Sequence, residues 1–305
     1  MRVLAVGSGV IGTVYGAHLA AGGHAVSVLR HPPRTDQVAT DGLRARDVLG
    51  GRCVQAPVSV VPAASAGQYD LVLVAVRADQ LKAACAQLTD LAGNPSVVLF
   101  GNNPGGRSTP GDVAGELRQG FPGIGGVLRG GVAEYVRISQ QPTALEAGSD
   151  PWLTALEQAL GSYGFAVQRV TDMDGWLLYH AAFVACVSAA LFRCGTDPGR
   201  LAVDHATLRL MCCAVTEAFG ALRRAGVAGL PGNLAVLHHP LLRPAATRYW
   251  ARVMRSPTGE LYFGAHCRHA EAEMRALGDD IAARLDDSPK TNHVRQLLGA
   301  AQEQC

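Results

Sequence analysis

The feature that most constrains the fold of this chain is a glycine motif near its start. In the segment RVLAVGSGVIGTVYGAHLAAGG, the residues Gly7, Gly9 and Gly12 have the spacing G-x-G-x-x-G. Residues 2–6 are apolar after the first, which predicts a strand buried on both faces. A helical pattern follows the motif, and a second apolar strand is predicted over residues 24–29. This order of elements predicts the first unit of a doubly wound α/β sheet.

Each glycine of the motif has a separate physical role in binding a dinucleotide. Gly7 permits the tight turn, Gly9 lets the backbone approach a pyrophosphate, and Gly12 lets the helix pack closely against the strand. The helix N-terminus offers free N–H groups and the positive end of its dipole to phosphate. We therefore expect the whole motif to contact the cofactor, which adds Ser8, Val10 and Ile11 to the three glycines. The alternative is a glycine turn with a structural role only.

The residue at the end of the second strand predicts which nicotinamide cofactor is bound. An acidic residue there would hold the ribose 2′-hydroxyl of NAD. This chain instead has Arg30, followed by His31 and Arg34, and basic residues suit a 2′-phosphate. The sequence thus favours NADP(H). The alternative is that Arg30 is a solvated arginine of a loop.

Two further predicted strands are followed by polar residues. A buried strand at Leu71 to Val76 precedes Arg77, and the strand in PSVVLF precedes Asn102 and Asn103. In doubly wound sheets, ligands bind beyond the carboxyl ends of the strands. These side chains are therefore candidates for contacts with cofactor or substrate. Alternatively, Arg77 begins its helix at the surface, and residues 102–105 form an ordinary turn.

The pattern of secondary structure changes along the chain. Residues 121–148 predict short antiparallel strands that extend the sheet, and a last strand is predicted at residues 165–170. After that, helical periodicity dominates. We predict an α/β Rossmann-type NADP-binding domain over residues 1–171 and an all-helical C-terminal domain for substrate binding and dimerisation over residues 172–305. The helices predicted in the second domain span residues 175–192, 200–226, 244–254, 259–285 and 292–303.

Composition excludes several classes of partner. The net charge is +2 with no block of like charge, which gives no sign of a nucleic-acid surface. No charged-then-apolar leader follows Met1, and the longest apolar run, WLLYHAAFVACVSAAL, is too short to cross a bilayer comfortably. We expect a cytoplasmic protein with a small-molecule substrate and no membrane partner, and apolar helices that allow a homodimer. The eight cysteines form no CxxC pair, so we expect reduced packing residues and no zinc.

These motifs, in this order, resemble the ketopantoate reductase family over nearly the whole chain. Enzymes of that family reduce the ketone of a 2-keto acid with NADPH, and have a Rossmann domain followed by a helical domain. GSGVIG with Arg30 is similar to the family's NADPH fingerprint and its arginine for the 2′-phosphate. VAVRADQ is similar to a strand-end segment with a basic residue, here Arg77. LFGNNPGG resembles a Gln-Asn-Gly loop and places its asparagine at Asn102, between Gly101 and Asn103.

Two motifs in the second domain extend the resemblance. SPTGELYFGAH is similar to the helix start that carries the family's substrate-contacting glutamate, which falls on Glu260, and DSPKTNHVRQLL is similar to the start of the last helix. The family's serine and aspartate positions ahead of that glutamate fall near Arg248 and Arg252. If these arginines point inward, they would suit a carboxylate of the substrate.

The segment at residues 176–191 departs from the family pattern. The family has a Lys followed at four-residue intervals by two Asn on one helical face, and the lysine donates a proton to the incoming alkoxide. A gapless match anchored on Trp176 places Leu178 at the lysine, and Ala182 and Cys186 at the asparagines. The resemblance therefore implies an apolar wall where the family's catalytic groups would be, and a substrate less polar than ketopantoate.

Three residues are candidates for the missing proton donor. His180 has a suitable intrinsic pKa, but it lies about 200° around the helix from residue 178, and a role in the core is the alternative. Tyr179 could donate through its hydroxyl or pack as an amphipathic residue. Glu260 could act as an acid in a desolvated site, or could hold a hydroxyl or amine of the substrate.

Two histidine clusters are weaker signals. His266, His269 and Glu273 share one face of a predicted helix, a spacing that suits a metal but is more often a solvated polar face. His238 and His239 fall in a predicted loop between helices. We expect no metal at either place.

The leading hypothesis from the sequence is an NADPH-dependent oxidoreductase of ketopantoate-reductase-like fold that reduces a carbonyl or imine of a small substrate other than ketopantoate. The alternative from another class is an inactive NADP(H)-binding sensor or scaffold protein. A third hypothesis is true ketopantoate reduction with a rearranged proton donor.

Overall fold

A computed structural model describes residues 1–32, 34–64, 67–106, 113–138, 140–286 and 288–302 of the chain. The contacts between residues divide the chain into two units, Met1–Met173 and Asp174–Cys305. The boundary predicted after residue 171 lies two residues before this division. The first unit combines strands with helices, whereas the described residues of the second form helices and turns. This arrangement confirms the predicted fold class.

The first unit alternates strands and helices along most of its length, as expected of a doubly wound sheet. Its elements are β1 (Arg2–Val6), α1 (Val10–Ala21), β2 (Ala25–Leu29), α2 (Arg34–Asp41), β3 (Leu43–Asp47), β4 (Cys53–Ala56), β5 (Ser59–Val61), β6 (Leu71–Val74), α3 (Ala78–Cys85), β7 (Ser96–Phe100), β8 (Glu116–Phe121), β9 (Ile124–Arg129), β10 (Val132–Arg137), β11 (Thr143–Glu146), α4 (Pro151–Ser162) and β12 (Val167–Val170).

The main sheet of this unit has eight strands in the order β12-β11-β8-β7-β6-β1-β2-β5. Strands β5, β2, β1, β6, β7 and β8 pair in parallel. Every residue of β6 and β7 is buried, which explains their continuous apolar sequences. The chain leaves β1 for β2 on one side and later returns to β6 on the other. The space beyond β1 and β6 is therefore the topological switch point, where ligands of such sheets bind.

A second sheet of four strands, in the order β4-β3-β10-β9, corrects the prediction for residues 121–148. Among the strands described after β8, β11 pairs antiparallel with β8 and so extends the main sheet. Strands β9 and β10 instead form a hairpin, and β10 pairs with β3. The sequence of β3, LRARD, did not predict a strand because only Leu43 and Ala45 are apolar. Their face is completed by the buried carboxylate of Asp47.

The described residues of the second unit form helices joined by turns and loops. Its helices are α5 (Met173–Arg193, which begins one residue before the division), α6 (Pro198–Val203), α7 (His205–Arg224), α8 (Gly232–Leu237), α9 (Arg243–Arg255), α10 (Pro257–Gly259), a π-helical turn (Glu260–Gly264), α11 (Ala265–His269), α12 (Glu271–Ala283) and α13 (Asn292–Gln302).

Two helices predicted as continuous are broken, for identifiable reasons. The helix predicted over residues 200–226 is divided because Asp204 caps the start of α7, accepting hydrogen bonds from the backbone N–H and the hydroxyl of Thr207 at 2.9 and 2.7 Å. The helix predicted over residues 259–285 is interrupted by the π-helical turn and by a bend at Ala270 (φ −130°, ψ 38°).

Helix α5 lies in the core of the second unit. It has 21 residues and is long and apolar enough to cross a membrane, which corrects the prediction that its apolar run is too short. However, 89% of its most apolar window is buried inside the protein. Its side chains pack against α7, α9 and α13 in one apolar cluster. We therefore describe α5 as the central core helix of this unit.

Candidate functional site

The glycine motif forms a tight turn between β1 and α1, as the sequence predicts. Gly7 has φ +99°, a conformation that only glycine adopts readily, and an added Cβ would overlap the carbonyl oxygen of Ala75. A Cβ on Gly12 would overlap the carbonyl oxygen of Gly7. These two glycines are therefore required by the packing of α1 against the ends of β1 and β6.

Gly9 has a different environment from the other two glycines. It is the N-cap of α1, with φ −69° and ψ −167°, a conformation open to any residue. It is exposed, and an added Cβ would have no heavy atom within 4 Å. No side chain caps this helix end and no acidic residue lies in its first turn. The protein thus keeps a free space at the positive end of a twelve-residue helix, where a phosphate group would fit.

The carbonyl oxygen of Ser8 is held from two sides by residues that the motif does not include. The Thr13 hydroxyl donates to it at 3.1 Å, and Nε of Arg34 donates to it at 3.2 Å. Val10 and Ile11 are half-buried and pack against the core of the unit. The loop is therefore fixed before any ligand binds.

The three basic residues after β2 have separate roles. Arg30 is exposed, and its guanidinium lies 3.5 Å from the carboxylate of Asp36. His31 is also exposed, and its backbone N–H donates to the hydroxyl of Thr35. The guanidinium of Arg34 is instead directed to the glycine loop and to the carbonyl oxygen of Gly131, at 3.2 Å. Arg34 is thus engaged within the protein, and of the two arginines only Arg30 has an exposed guanidinium for a 2′-phosphate.

The residues beyond β6 and β7 lie at the same sheet edge as the glycine loop, because these strands pair in register with one another and with β1. Arg77 is exposed at the start of α3 and forms an ion pair with Asp79 at 3.1 Å. Arg77 therefore begins its helix at the surface, which was the alternative to a contact with the cofactor or substrate. Strand β6 ends at Val74, two residues earlier than predicted.

The two asparagines beyond β7 differ in their contacts. Asn103 is buried, and its amide donates to the carbonyl oxygen of Gly106 at 2.8 Å. Asn102 is half-buried, and its Oδ1 atom is enclosed without a hydrogen-bond partner among the described residues. A buried acceptor without a partner is costly. Asn102 is therefore the one of the pair suited to receive a hydrogen bond from a ligand.

The residues matched to the family's catalytic face lie on α5 of the second unit. Leu178 is half-buried, whereas Ala182 and Cys186 are fully buried in the apolar cluster of this unit. Within the helical unit, therefore, Ala182 and Cys186 occupy packing positions. Leu178 is the member of the three that has a partly exposed side chain.

Tyr179 packs inside the helical unit, which was the alternative to its role as a proton donor. Its ring is 1% exposed and meets Phe219 edge to face, with centroids 5.5 Å apart. Its hydroxyl donates to the carbonyl oxygen of Val227 at 2.9 Å. A phenol enclosed in this way is not presented to a substrate.

His180 is also an internal residue. It is 4% exposed and stacks on Trp176, with centroids 5.1 Å apart and ring planes at 4°. Burial lowers the pKa of its imidazole to about 3, because a low-dielectric site disfavours the charged form. The ring is therefore neutral at physiological pH and does not supply the positive charge that a lysine would.

Glu260 and the two arginines of α9 are on the surface of the helical unit. Glu260 begins the π-helical turn, is half-exposed, and forms an ion pair with Arg268. Such turns are frequent at functional sites. Arg248 and Arg252 lie four residues apart on the exposed face of α9, opposite the buried Trp250. They do not point into the core of their unit, and they remain accessible to a ligand.

The histidine clusters and the cysteines are placed by packing. His269 directs Nδ1 at the carbonyl oxygen of Ala265, and His238 is enclosed among aromatic rings. His239 accepts a hydrogen bond from the backbone N–H of Leu241.

Within the described ranges, no three histidine, cysteine or acidic side chains are grouped to hold a metal. The cysteines there are free, and most are buried, although Cys53 is exposed; Cys305 lies outside the described residues.

The sequence pattern alone did not indicate that Thr13 and Arg34 hold the glycine loop. Thr13 lies one turn into α1, which is a weak signal. Arg34 is 26 residues from Ser8, and its position was explained by the cofactor alone. A local pattern carries no information on which of several basic residues folds back onto a loop.

Comparison with known families adds to this geometry. Residues 3–110 match the family model of ketopantoate reductase PanE/ApbA. The sequence likeness to this family is therefore found in the first unit. The matched range contains the glycine loop, Arg30, Arg77 and Asn102. A comparison with curated proteins found no match.

Solved structures with a similar fold match nearly the whole chain. A PanE/ApbA family ketopantoate reductase from Ralstonia eutropha is 23% identical with a TM-score of 0.75, covering 99% of this chain and 98% of its own. A 2-dehydropantoate 2-reductase from Methylococcus capsulatus is 16% identical with a TM-score of 0.70, over 100% and 96%. D-Mandelate dehydrogenase, solved with NADH and anilino(oxo)acetate, is 14% identical with a TM-score of 0.71, over 100% and 99%. At these identities the likeness is one of fold.

Proposed function

We propose that this chain is an NADPH-dependent oxidoreductase that reduces a carbonyl or imine of a small substrate other than ketopantoate. The observation that carries the proposal is the open space at Gly9, at the start of α1, in a range that matches the ketopantoate reductase family model. D-Mandelate dehydrogenase, which has a similar fold, was solved with NADH, and this supports a nicotinamide dinucleotide as the cofactor.

The residues of the first unit would divide the binding of the cofactor between them. The backbone N–H groups of Gly9, Val10 and Ile11 suit the pyrophosphate, while Gly7 and Gly12 maintain the turn. Arg30 suits the 2′-phosphate because its exposed guanidinium can exchange Asp36 for a doubly charged anion. Asn102 offers an enclosed acceptor to a donor on the ligand.

The chemistry follows from what the chain's own residues can do once a substrate is bound. A bound nicotinamide would supply a hydride, and the substrate atom that gains negative charge would need a proton or a hydrogen-bond donor from the protein nearby. An ion-paired carboxylate is an acceptor, so we assign Glu260 the role of holding a hydroxyl or amine of the substrate. Arg248 and Arg252 suit a carboxylate on it. Leu178, in place of a lysine, suits an apolar group.

A cofactor titration followed by an activity screen tests the proposal. Tryptophan fluorescence is measured while NADPH or NADH is added, and NADPH oxidation is then followed with ketopantoate and a panel of ketones, aldehydes and imines. We expect tighter binding of NADPH and oxidation with a substrate other than ketopantoate. Absence of NADPH binding would refute the cofactor assignment, and oxidation with ketopantoate alone would refute the substrate assignment.

A second candidate function, an inactive NADP(H)-binding sensor or scaffold, is favoured by the enclosure of Tyr179 and His180. Neither side chain is exposed by more than 4%, so neither is presented as a proton donor. This function predicts tight NADPH binding without oxidation on any member of the panel. The same pair of measurements therefore distinguishes it from a reductase.

A further inference from the structure

A groove of about 360 Å³ lies within the second unit, where three of its helices meet. We call it the arginine groove. Its polar lining consists of Arg193, Thr207, Arg209, Cys213, His293 and Gln296. None of these residues belongs to the cofactor or substrate assignments above, so an inference from the groove does not rest on the proposed function.

The spacing of the lining residues follows from the helices that carry them. Arg209 and Cys213 are one turn apart on the outer face of α7, while Leu208 and Met211 on its other face are buried in the core. Helix α13 packs alongside α7 and contributes His293 and Gln296, three residues apart. Arg193 closes the groove from the last turn of α5. The helices therefore fix the backbone positions of these residues, so that their side chains line one groove.

The charged residues that line the arginine groove are basic. Its lining contains two arginines and no carboxylate. Across the described ranges, neither the Arg193 nor the Arg209 guanidinium has a hydrogen bond or an ion pair with another residue. By comparison, Arg169 forms an ion pair with Glu157 at 2.7 Å.

Asp204 and Glu217, the acidic residues of α7 and its N-cap, already accept hydrogen bonds from other residues. Asp204 accepts hydrogen bonds from Thr207 as the helix cap, at 2.9 and 2.7 Å. Glu217 accepts from the imidazole of His293 at 2.5 Å and from two backbone N–H groups at the start of α13. Hydrogen bonds from Thr207, with a smaller contribution from the charge of Arg193, lower the pKa of Asp204. Among the described residues, neither acid lies within ion-pair distance of the Arg193 or Arg209 guanidinium.

We propose that the arginine groove binds a small anionic metabolite through a carboxylate or phosphate group. A guanidinium presents its N–H donors in a planar fork that matches both groups. The side-chain amide of Gln296 adds a neutral donor, and the half-buried thiol of Cys213 and the side chain of Leu210 provide less polar wall. The volume is at the lower end of the range for small-molecule sites, so the ligand is a small metabolite rather than a nucleic acid.

Binding of two simple probes by the full-length chain tests the proposal. Inorganic phosphate and citrate are titrated by calorimetry, each against sodium chloride at the same ionic strength, because chloride reproduces general screening. We expect saturable binding of at least one probe. The probe that binds more tightly identifies whether phosphate or carboxylate is the preferred group.

Three variants assign the binding to the groove. Arg209→Gln removes a lining charge, and Ala206→Glu places a carboxylate at an exposed lining position in the first turn of α7, where an acid favours the helix. Both should weaken the preferred probe about tenfold or more. Arg223→Gln removes an equal charge from an exposed position on the same helix outside the groove and should leave affinity unchanged. Circular dichroism checks that all three remain folded.

Two results would overturn the inference. One is the absence of saturable binding of either probe to the unmodified chain. The other is an equal effect of Arg209→Gln and Arg223→Gln, or no effect of Ala206→Glu, because binding would then follow net charge and not the groove. Neither result bears on NADPH binding, which is measured separately.

Discussion

The guanidinium of Arg34 donates a hydrogen bond from Nε to the carbonyl oxygen of Ser8, 3.2 Å away. The same side chain donates to the carbonyl oxygen of Gly131 at 3.2 Å and to Gln37 at 2.9 Å. Burial lowers the pKa of Arg34, yet an arginine stays protonated under any ordinary condition. One half-buried cation thus ties the glycine loop to the turn between β9 and β10.

This relationship predicts that Arg34→Lys will weaken NADPH and NADH by similar factors. Lysine keeps the charge but cannot donate to three acceptors in the planar arrangement of a guanidinium. We expect a loss of about 1–3 kcal/mol of folding stability, measured by urea denaturation. Fluorescence titration measures both affinities. A selective loss of NADPH would instead assign Arg34 to the 2′-phosphate.

Unlike Arg34→Lys, Arg30→Asp should weaken NADPH selectively. The substitution removes a cation suited to the 2′-phosphate and introduces the acid that suits a ribose hydroxyl. NADPH affinity should fall about tenfold to a hundredfold, while NADH affinity changes little or rises. Arg129→Asp, at another exposed arginine of the same unit, serves as the control for charge alone. Equal losses of both cofactors would refute the assignment of Arg30.

Alanine substitutions at Gly9 and Gly12 should distinguish a loss of cofactor affinity from a loss of folding stability. Gly9→Ala adds a methyl group in open space, so the melting temperature should remain nearly unchanged. The same methyl group obstructs the approach of a pyrophosphate, at a cost of about 1–3 kcal/mol in affinity. Gly12→Ala should lower both quantities, because its methyl group overlaps the carbonyl oxygen of Gly7. Unchanged NADPH affinity in Gly9→Ala would place the phosphates elsewhere.

Folding stability should fall as the pH decreases from about 6.5 towards 4. Burial lowers the pKa of His180 to about 3 and that of His238 to about 4, whereas both ordinarily titrate near 6.5. Below pH 6.5 the unfolded chain binds protons that the folded chain excludes, so unfolding is favoured. Each histidine contributes up to about 1.4 kcal/mol per pH unit between its two pKa values.

A substitution at His238 tests the origin of this pH dependence. Neither ring nitrogen of His238 has a hydrogen-bond partner within the described part of the chain, and the ring packs against Phe183 and Trp250. His238→Phe should therefore reduce the loss of stability between pH 7 and 5, measured by urea denaturation. His205→Gln, at an exposed position, is the control. An unchanged slope in His238→Phe would exclude this ring as a source.

Glu260→Gln should reduce turnover of the substrate without changing stability or NADPH affinity. The ion pair with Arg268 is half-exposed, and such pairs are worth at most about 1 kcal/mol. The amide loses the charge that we assign to a substrate hydroxyl or amine, so kcat/KM should fall. Glu271→Gln, which breaks a similarly exposed pair with Arg275 at 2.9 Å, is the matched control. Equal kcat/KM values in the two variants would remove Glu260 from the site.

The parts of the structure that the sequence predicted correctly are those that depend on residues close together in the chain. The roles of Gly7 and Gly12 are set by backbone conformation and by contacts with adjacent strands, so their spacing was sufficient. The buried parallel strands β6 and β7 and the long helix α5 have continuous apolar sequences because they are covered on all sides. The change from strands to helices near residue 172 follows from periodicity alone.

The errors occurred where distant residues decide the outcome. The second sheet depends on β10 pairing with β3, some 90 residues earlier in the chain, and β3 is too polar to predict a strand by itself. The side chain of Asp204 divides one helix, and a π-helical turn at Glu260 interrupts another. Propensity within a window does not register either effect, because tertiary packing and capping outweigh it.

The sequence by itself therefore determined the glycine turn and the strands and helix around it, because a glycine turn between a strand and a helix is specified by residues that are neighbours in the chain. Only the tertiary structure decided which polar side chains are available. Tyr179 and His180 are enclosed by helices that pack on α5, Arg34 is used by the loop, and Arg30, Glu260 and the arginine groove remain open. Burial depends on what packs against a residue, and that information is distributed over the whole chain.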